Sequence, residues 1–151
     1  MTNNTIRQLM CAVSLALSAG TALAADMPSP TPSSVDLTKA RTLIEKKDWN
    51  AAITELERLG RRDKTDADVQ NLLGYSYRNA GQVDKAFTAY NNALRLDPKH
   101  KGAHEYIGVA YLLAKQPDKA KEHLAQLKVI CGGESCEEYQ DLAKAIAAYK
   151  P

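Results

Sequence analysis

The chain repeats itself at an offset of 34 residues, and that spacing restricts its fold more than any other feature. Gly74 aligns with Gly108, Tyr77 with Tyr111, and Asp84-Lys85-Ala86 with Asp118-Lys119-Ala120. One step back, Ala40, Leu43 and Ala52 occupy the equivalent slots. Apolar residues recur at three- and four-residue spacings without strand-like alternation, which predicts helices. Local punctuation agrees. Thr65 with Asp68 reads as a capping box, Gly81 as a stop, and Asp97-Pro98 as a break before the next helix. A unit of this length cannot cover its own apolar faces, so neighbours must stack. The small residues Gly74, Gly108, Ala86 and Ala120 are expected where two helices of a pair cross. Tyr77, Tyr90 and Tyr111 are expected to fill the space between successive pairs.

Three units follow from the period, at about 33–66, 67–100 and 101–134. The second carries Leu73-Gly74, Tyr77, Ala86, Tyr90, Ala93 and Pro98, and the third Ile107-Gly108, Tyr111, Ala120 and Leu124. In the first, Lys39 and Lys64 stand in the slots of Leu73 and Pro98, while Ala40, Leu43, Ala52, Leu56 and Leu59 keep the right sizes. This small-and-large pattern resembles the tetratricopeptide repeat. The resemblance implies an all-α fold, an α-solenoid of about three helix pairs. A capping helix over 136–150 is expected to end the stack. Ser135 with Glu138 reads as its capping box, and Tyr139, Leu142, Ala143, Ile146 and Tyr149 share one face.

The resemblance also implies that the first helix of each pair lines a concave face that holds a partner. With Leu73, Gly74 and Tyr77 assigned to the stack, Asn71, Tyr75, Arg78 and Asn79 are expected on that face. Glu105, Val109, Leu112 and Leu113 are their counterparts in the third unit. Packing of Tyr75, Leu112 and Leu113 against a neighbouring helix stays open as the alternative. Family members that clamp C-terminal carboxylates use lysines and asparagines in slots that here hold Leu37, Arg41, Leu72, Gly102 and Tyr106, so that ligand is not expected.

The N-terminus sets the expected compartment. Arg7 precedes an apolar stretch, Leu9 to Ala19, and Ala22-Leu23-Ala24 offers a small-x-small cleavage site, so residues 1–24 read as a signal peptide and Ala25 as the mature N-terminus. Export is expected, to a periplasmic space, with no stable membrane insertion after cleavage. Residues 25–34, with Pro28, Pro30 and Pro32, read as a flexible tether ahead of a repeat domain over 35–151. Losing Arg7 takes the formal charge from +2 to +1, which is no nucleic-acid footprint.

Two of the three cysteines, Cys131 and Cys136, remain after cleavage, and an even number in an oxidising compartment suggests a disulfide. The Cys-Gly-Gly-Glu-Ser-Cys spacing is not that of a thioredoxin-like pair. His100, His104 and His123 are scattered over separate turns, so no metal or other cofactor is expected. No constellation of catalytic spacing appears, which argues against an enzyme. Two functions remain: a non-catalytic interaction module that binds another protein or peptide, with self-association as a variant, or a redox or metal-handling protein that uses Cys131 and Cys136.

Overall fold

The computed structural model describes residues 35–150; the presequence and tether expected over 1–34, Cys11 among them, and Pro151 lie outside the described residues. Among the described residues there are seven helices and no strand: α1 (Thr38–Glu45), α2 (Trp49–Arg62), α3 (Ala67–Asn79), α4 (Val83–Leu96), α5 (Lys101–Leu113), α6 (Pro117–Ile130) and α7 (Glu137–Ala148). The first six form three antiparallel pairs, and α7 is the extra terminal helix. The first unit is therefore a complete pair, with its opening helix cut to 8 residues.

Backbone geometry repeats with the sequence. The turn inside each pair holds one residue in the left-handed region, at Lys47 (φ 57°), Gly81 (φ 77°) and Lys115 (φ 58°). These three positions are themselves one period apart. Each time the next amide donates back across the turn: Asp48 N to Leu43 O, Gln82 N to Tyr77 O and Gln116 N to Tyr111 O, at 3.0, 2.8 and 2.8 Å. The bonds satisfy carbonyls that the helix end leaves free. Gly81 is the stop the sequence suggests, and two lysines adopt the same conformation without a glycine's freedom. The motif returns after α6, with Gly132 at φ 66° and Gly133 N bonded to Lys128 O at 2.9 Å.

Helix starts depart from the sequence reading. The N-cap of α3 is Asp66, whose carboxylate accepts from Val69 N at 3.0 Å. Thr65 instead donates its hydroxyl to Asp63 Oδ1 at 2.7 Å, and Asp68 accepts from His100 Nε2 at 3.0 Å. A carboxylate one residue on is a stronger acceptor than a hydroxyl, so it takes the cap. One period later His100 fills the slot of Asp66, its Nδ1 accepting from Ala103 N at 3.1 Å. At α7 the expected box of Ser135 and Glu138 does not form either. Its N-cap is Cys136, which makes no side-chain cap bond.

Close approach of helices explains the small residues. A Cβ on Gly74 would lie 2.5 Å from the ring of Tyr90, a fully buried side chain of α4. Glycine is therefore required where α3 crosses its own partner. At Gly108 the nearest atoms belong to Leu142 of α7, 2.7 Å from the same virtual Cβ. This glycine seats the capping helix; the repeat suggested the crossing of α5 and α6. Ala86 and Ala120 are fully buried, as are Leu56, Ile107, Leu127 and Leu142. Each of those four larger side chains contributes roughly 1.5–3 kcal/mol by leaving water. Between pairs, Tyr77 donates to Glu57 of α2 at 2.6 Å, and Tyr111 packs on Phe87 of α4 at 4.8 Å between ring centroids. Tyr90 departs from the expectation for the inter-pair tyrosines, since it fills its own pair beneath Gly74, although its ring also reaches Tyr106, 6.5 Å away.

Contacts between successive pairs run through the first helices. α3 packs on α5 and α5 on α7, whereas nothing comparable joins α1 to α3, α2 to α4 or α4 to α6. The row α3, α5 and α7 is thus continuous, while α1 reaches the stack through α2. The open side of that row corresponds to the inner face of the repeat. None of the described helices is long and apolar enough to cross a membrane.

Candidate functional site

The inner face carries a row of aromatic rings. Tyr75 of α3 stands between Trp49, at the start of α2, and Tyr106 of α5, with ring centroids 6.1 and 5.0 Å away. The guanidinium of Arg78, one turn after Tyr75, lies 5.2 Å from the Tyr75 centroid and 5.7 Å from that of Tyr106. Cation–π attraction holds it over both rings. A cavity of about 230 Å³ opens here, lined by Arg41, Ile44, Glu45, Leu72, Tyr75 and Tyr106. Nη1 of Arg78 and the hydroxyl of Tyr90 are buried without a hydrogen-bond partner among the described residues.

Glu105 lies on the same side of α5 and is half-buried. Burial pushes its carboxyl up to about 7, and Asp141, Glu138 and Glu137 of α7 push the same way against the weaker pull of Arg78. One turn on, Val109, Leu112 and Leu113 border a second, mostly apolar cavity of about 390 Å³ whose far wall is Ala145, Ala148 and Tyr149. Leu113 is 61% exposed.

The residues expected on this face thus divide. Tyr75, Arg78, Glu105, Val109 and Leu113 are accessible along it. Asn71 is only 6% exposed, because Gly102 of α5 closes over it, with Asn71 Nδ2 3.1 Å from a Cβ built there. Asn79 is exposed but turned back on its own helix, its Nδ2 donating to Tyr75 O at 2.8 Å. Leu112 is buried at 7% and forms cavity floor. Sequence reasoning missed two contributors, Trp49 and the acidic start of α7, and read Tyr106 only as the occupant of a clamp slot. The signal for Tyr106 was its place next to Glu105 on the exposed side of α5. Trp49, the only tryptophan, belongs to a second helix, and the acids of α7 lie outside the repeat period, so neither was reachable from the repeat.

Elsewhere the structure joins residues the sequence left apart. His104 is buried, its Nε2 donates to Pro98 O at 3.0 Å, and its Nδ1 faces Nδ1 of His123 at 2.9 Å. With His104 Nε2–H committed to the carbonyl, His104 Nδ1 is the acceptor and His123 the donor. His123 stacks on Tyr111, centroids 5.6 Å apart, and burial together with His104 holds its pKa down to about 4. The pair ties the α4–α5 turn to α6. Cys131, which caps the end of α6, and Cys136, at the start of α7, form a disulfide with Cα atoms 6.0 Å apart. Among the described residues these cysteines and Glu138 are the one set of side chains at metal-ligand spacing. Both sulfurs of that set are already bonded to each other.

Comparison with known proteins agrees with this architecture. A family model described as TPR repeat matches residues 74–114, and one described as Tetratricopeptide repeat matches residues 103–129. The chain is 31% identical over 114 residues to the DnaJ protein P58IPK homolog of Arabidopsis thaliana, covering 75% of this chain and 23% of that protein. The chain thus spans under a quarter of that relative's length. Among solved structures, a double mutant of MamA RS-1 superposes with a TM-score of 0.59 at 26% identity, over 62% of this chain and 53% of that one. The type III secretion translocator chaperone SycD of Yersinia enterocolitica gives 0.64 at 17% identity, over 74% and 83%, a likeness of fold alone. Period, paired helices, glycine crossings and matched models together place the chain in the tetratricopeptide-repeat family.

Proposed function

We propose that the protein is a non-catalytic interaction module that holds a segment of another protein along its inner face, in an exported, periplasmic-type compartment. The observation that carries the reading is the row Trp49, Tyr75 and Tyr106, with a guanidinium on it and a cavity beside it, on the side of the helices that the stack leaves uncovered. Rigid aromatic rings and an arginine, ordered before the partner arrives, are the side chains that dominate protein–protein binding energy. SycD, a secretion chaperone by its title, has the same fold, which fits this use without naming the partner. Compartment rests on the first 24 residues and on the disulfide.

The test is Tyr75→Ala together with Arg78→Ala, since neither side chain is fully buried. Unchanged helicity by circular dichroism with loss of partners crosslinked in the native host is the expected result. Retained partners would move the site off the inner face. N-terminal sequencing of the exported protein should begin at Ala25, and a mature form that retains Met1 would overturn the export reading.

A further inference from the structure

The cleft between α5 and α7 continues the aromatic row, and its two ends differ in chemistry. The helices run parallel: Glu105 faces Glu138 and Asp141, Gly108 meets Leu142, and Val109 and Leu113 share the apolar cavity with Ala145 and Tyr149. At the opening end the carboxyl of Glu105 is half-buried and forms no ion pair among the described residues. Arg78, the cation whose charge acts on it, is drawn onto Tyr75 and Tyr106. At the far end the cavity is aliphatic, with an exposed leucine, and Lys115 and Lys150 form its rim. The cleft therefore lacks a cation at one end and an apolar side chain at the other.

We propose that this cleft recognises a peptide segment carrying a lysine or arginine and, about three residues away, an aliphatic side chain. The basic group pairs with Glu105 and Asp141, and the aliphatic one fills the cavity beside Leu113. Spacing comes from helix geometry. Seven or eight residues separate the two ends on α5, about 11 Å of helix, which an extended chain crosses in about three residues. Charge complementarity selects this occupant, because the lysine rim at the apolar end disfavours a segment that is basic throughout. The inference rests on the inner-face reading above and names the partner chemistry for it.

A proton is linked to the same event. The groups facing Glu105 are Arg78 of α3, Tyr90 of α4, Tyr106 beside it, and Glu137, Glu138 and Asp141 of α7. A cation bound among them draws Glu105 into its ionised form. Since that carboxyl otherwise holds its proton up to about 7, binding should weaken about tenfold from pH 8 to pH 6.

The experiment selects a displayed library of random twelve-residue peptides on the purified protein and measures the winners by fluorescence polarisation. Enrichment of Lys or Arg about three positions from Leu, Ile or Met is the expected result. Changing that basic residue to Gln should weaken binding about tenfold, and Glu105→Gln with Asp141→Asn should erase the difference and flatten the pH dependence. Leu113→Ser, at an exposed position, should weaken the aliphatic anchor while circular dichroism stays unchanged. Winners that need Tyr75 but show no basic preference would overturn this inference and leave the inner-face reading standing. Winners indifferent to Tyr75→Ala with Arg78→Ala, and to the cleft variants, would overturn both.

Discussion

Two half-buried side chains pull stability in opposite directions over nearly the same pH range. Glu105 is raised from 4.5 to about 7 on folding, so the folded state holds a proton that the unfolded state has lost. Its contribution is fully present below about 4.5 and is lost as pH rises through 7. His123 is lowered from 6.5 to about 4, so the folded state stays neutral where the unfolded state is charged. That contribution is fully present above 6.5 and is lost as pH falls through 4. Between about pH 4.5 and 6.5 the two slopes oppose, and urea midpoints of the wild type should change little from these groups. Glu105→Gln should unmask the histidine, giving midpoints that climb from pH 4.5 to 6.5, and a flat profile in that variant would remove the argument. Glu55 does not disturb the comparison. Its hydrogen bond with Arg58 and its contact with Lys39 hold it at about 2, below the window.

At the scale of the element, the turns inside the pairs show how little a repeat depends on any one residue type. Position 81 is glycine, while 47 and 115 are lysines held at the same left-handed backbone, for which an L side chain costs about 1–2 kcal/mol. Lys47 is exposed and, among the described residues, makes no side-chain bond that replacement would break. Lys47→Gly should therefore stabilise by about 0.5–1 kcal/mol, strain relieved minus the added freedom of the unfolded chain. Chemical denaturation of the single variant checks it, and a loss of stability would mean that the turn is not strained. The same turns explain what could be read early. Gly81 announced its stop because glycine is the usual residue there, whereas the lysines gave no local signal and became legible only through the period. Helix starts were harder, since Thr65, Asp66 and Asp68 all suit a cap, and Asp66 takes it as the stronger acceptor while Asp68 is engaged by His100.

The described residues, 35–150, form a short stack whose last helix is fastened in two ways, by Leu142 under Gly108 and by the disulfide between Cys131 and Cys136. Each pair leans on its neighbours, so loosening the end should spread inward by degrees. Replacing both cysteines by serine should cost about 2 kcal/mol, the loop-closure value for so short a ring. Hydrogen exchange should show amides of α7 losing protection first, with α3 and α4 least affected. Equal protection of α7 in both forms would show that packing alone secures it. The cap also supplies the far wall of the proposed cleft, so the same variant should weaken peptide binding at the α5–α7 end more than at Tyr75.

The period, the helix pairs and the capping helix were determined by the sequence, because each follows from spacing along the chain: 34 residues per unit and three or four per turn. The disulfide was suggested by the even number of cysteines that remain, Cys131 and Cys136. Of the eight residues expected on the inner face, five are accessible, and the period together with helix geometry is what placed them on the first helices. Tertiary structure alone decided that Asn71 is covered by Gly102, that Gly108 serves α7, and that His104 meets His123 across 19 positions. It also brought Trp49 beside Tyr75 and set the acids of α7 against Glu105. Apart from the histidine pair inside the third unit, these are contacts between helices from different units, fixed by how closely the pairs approach. No periodicity within a single unit encodes that distance.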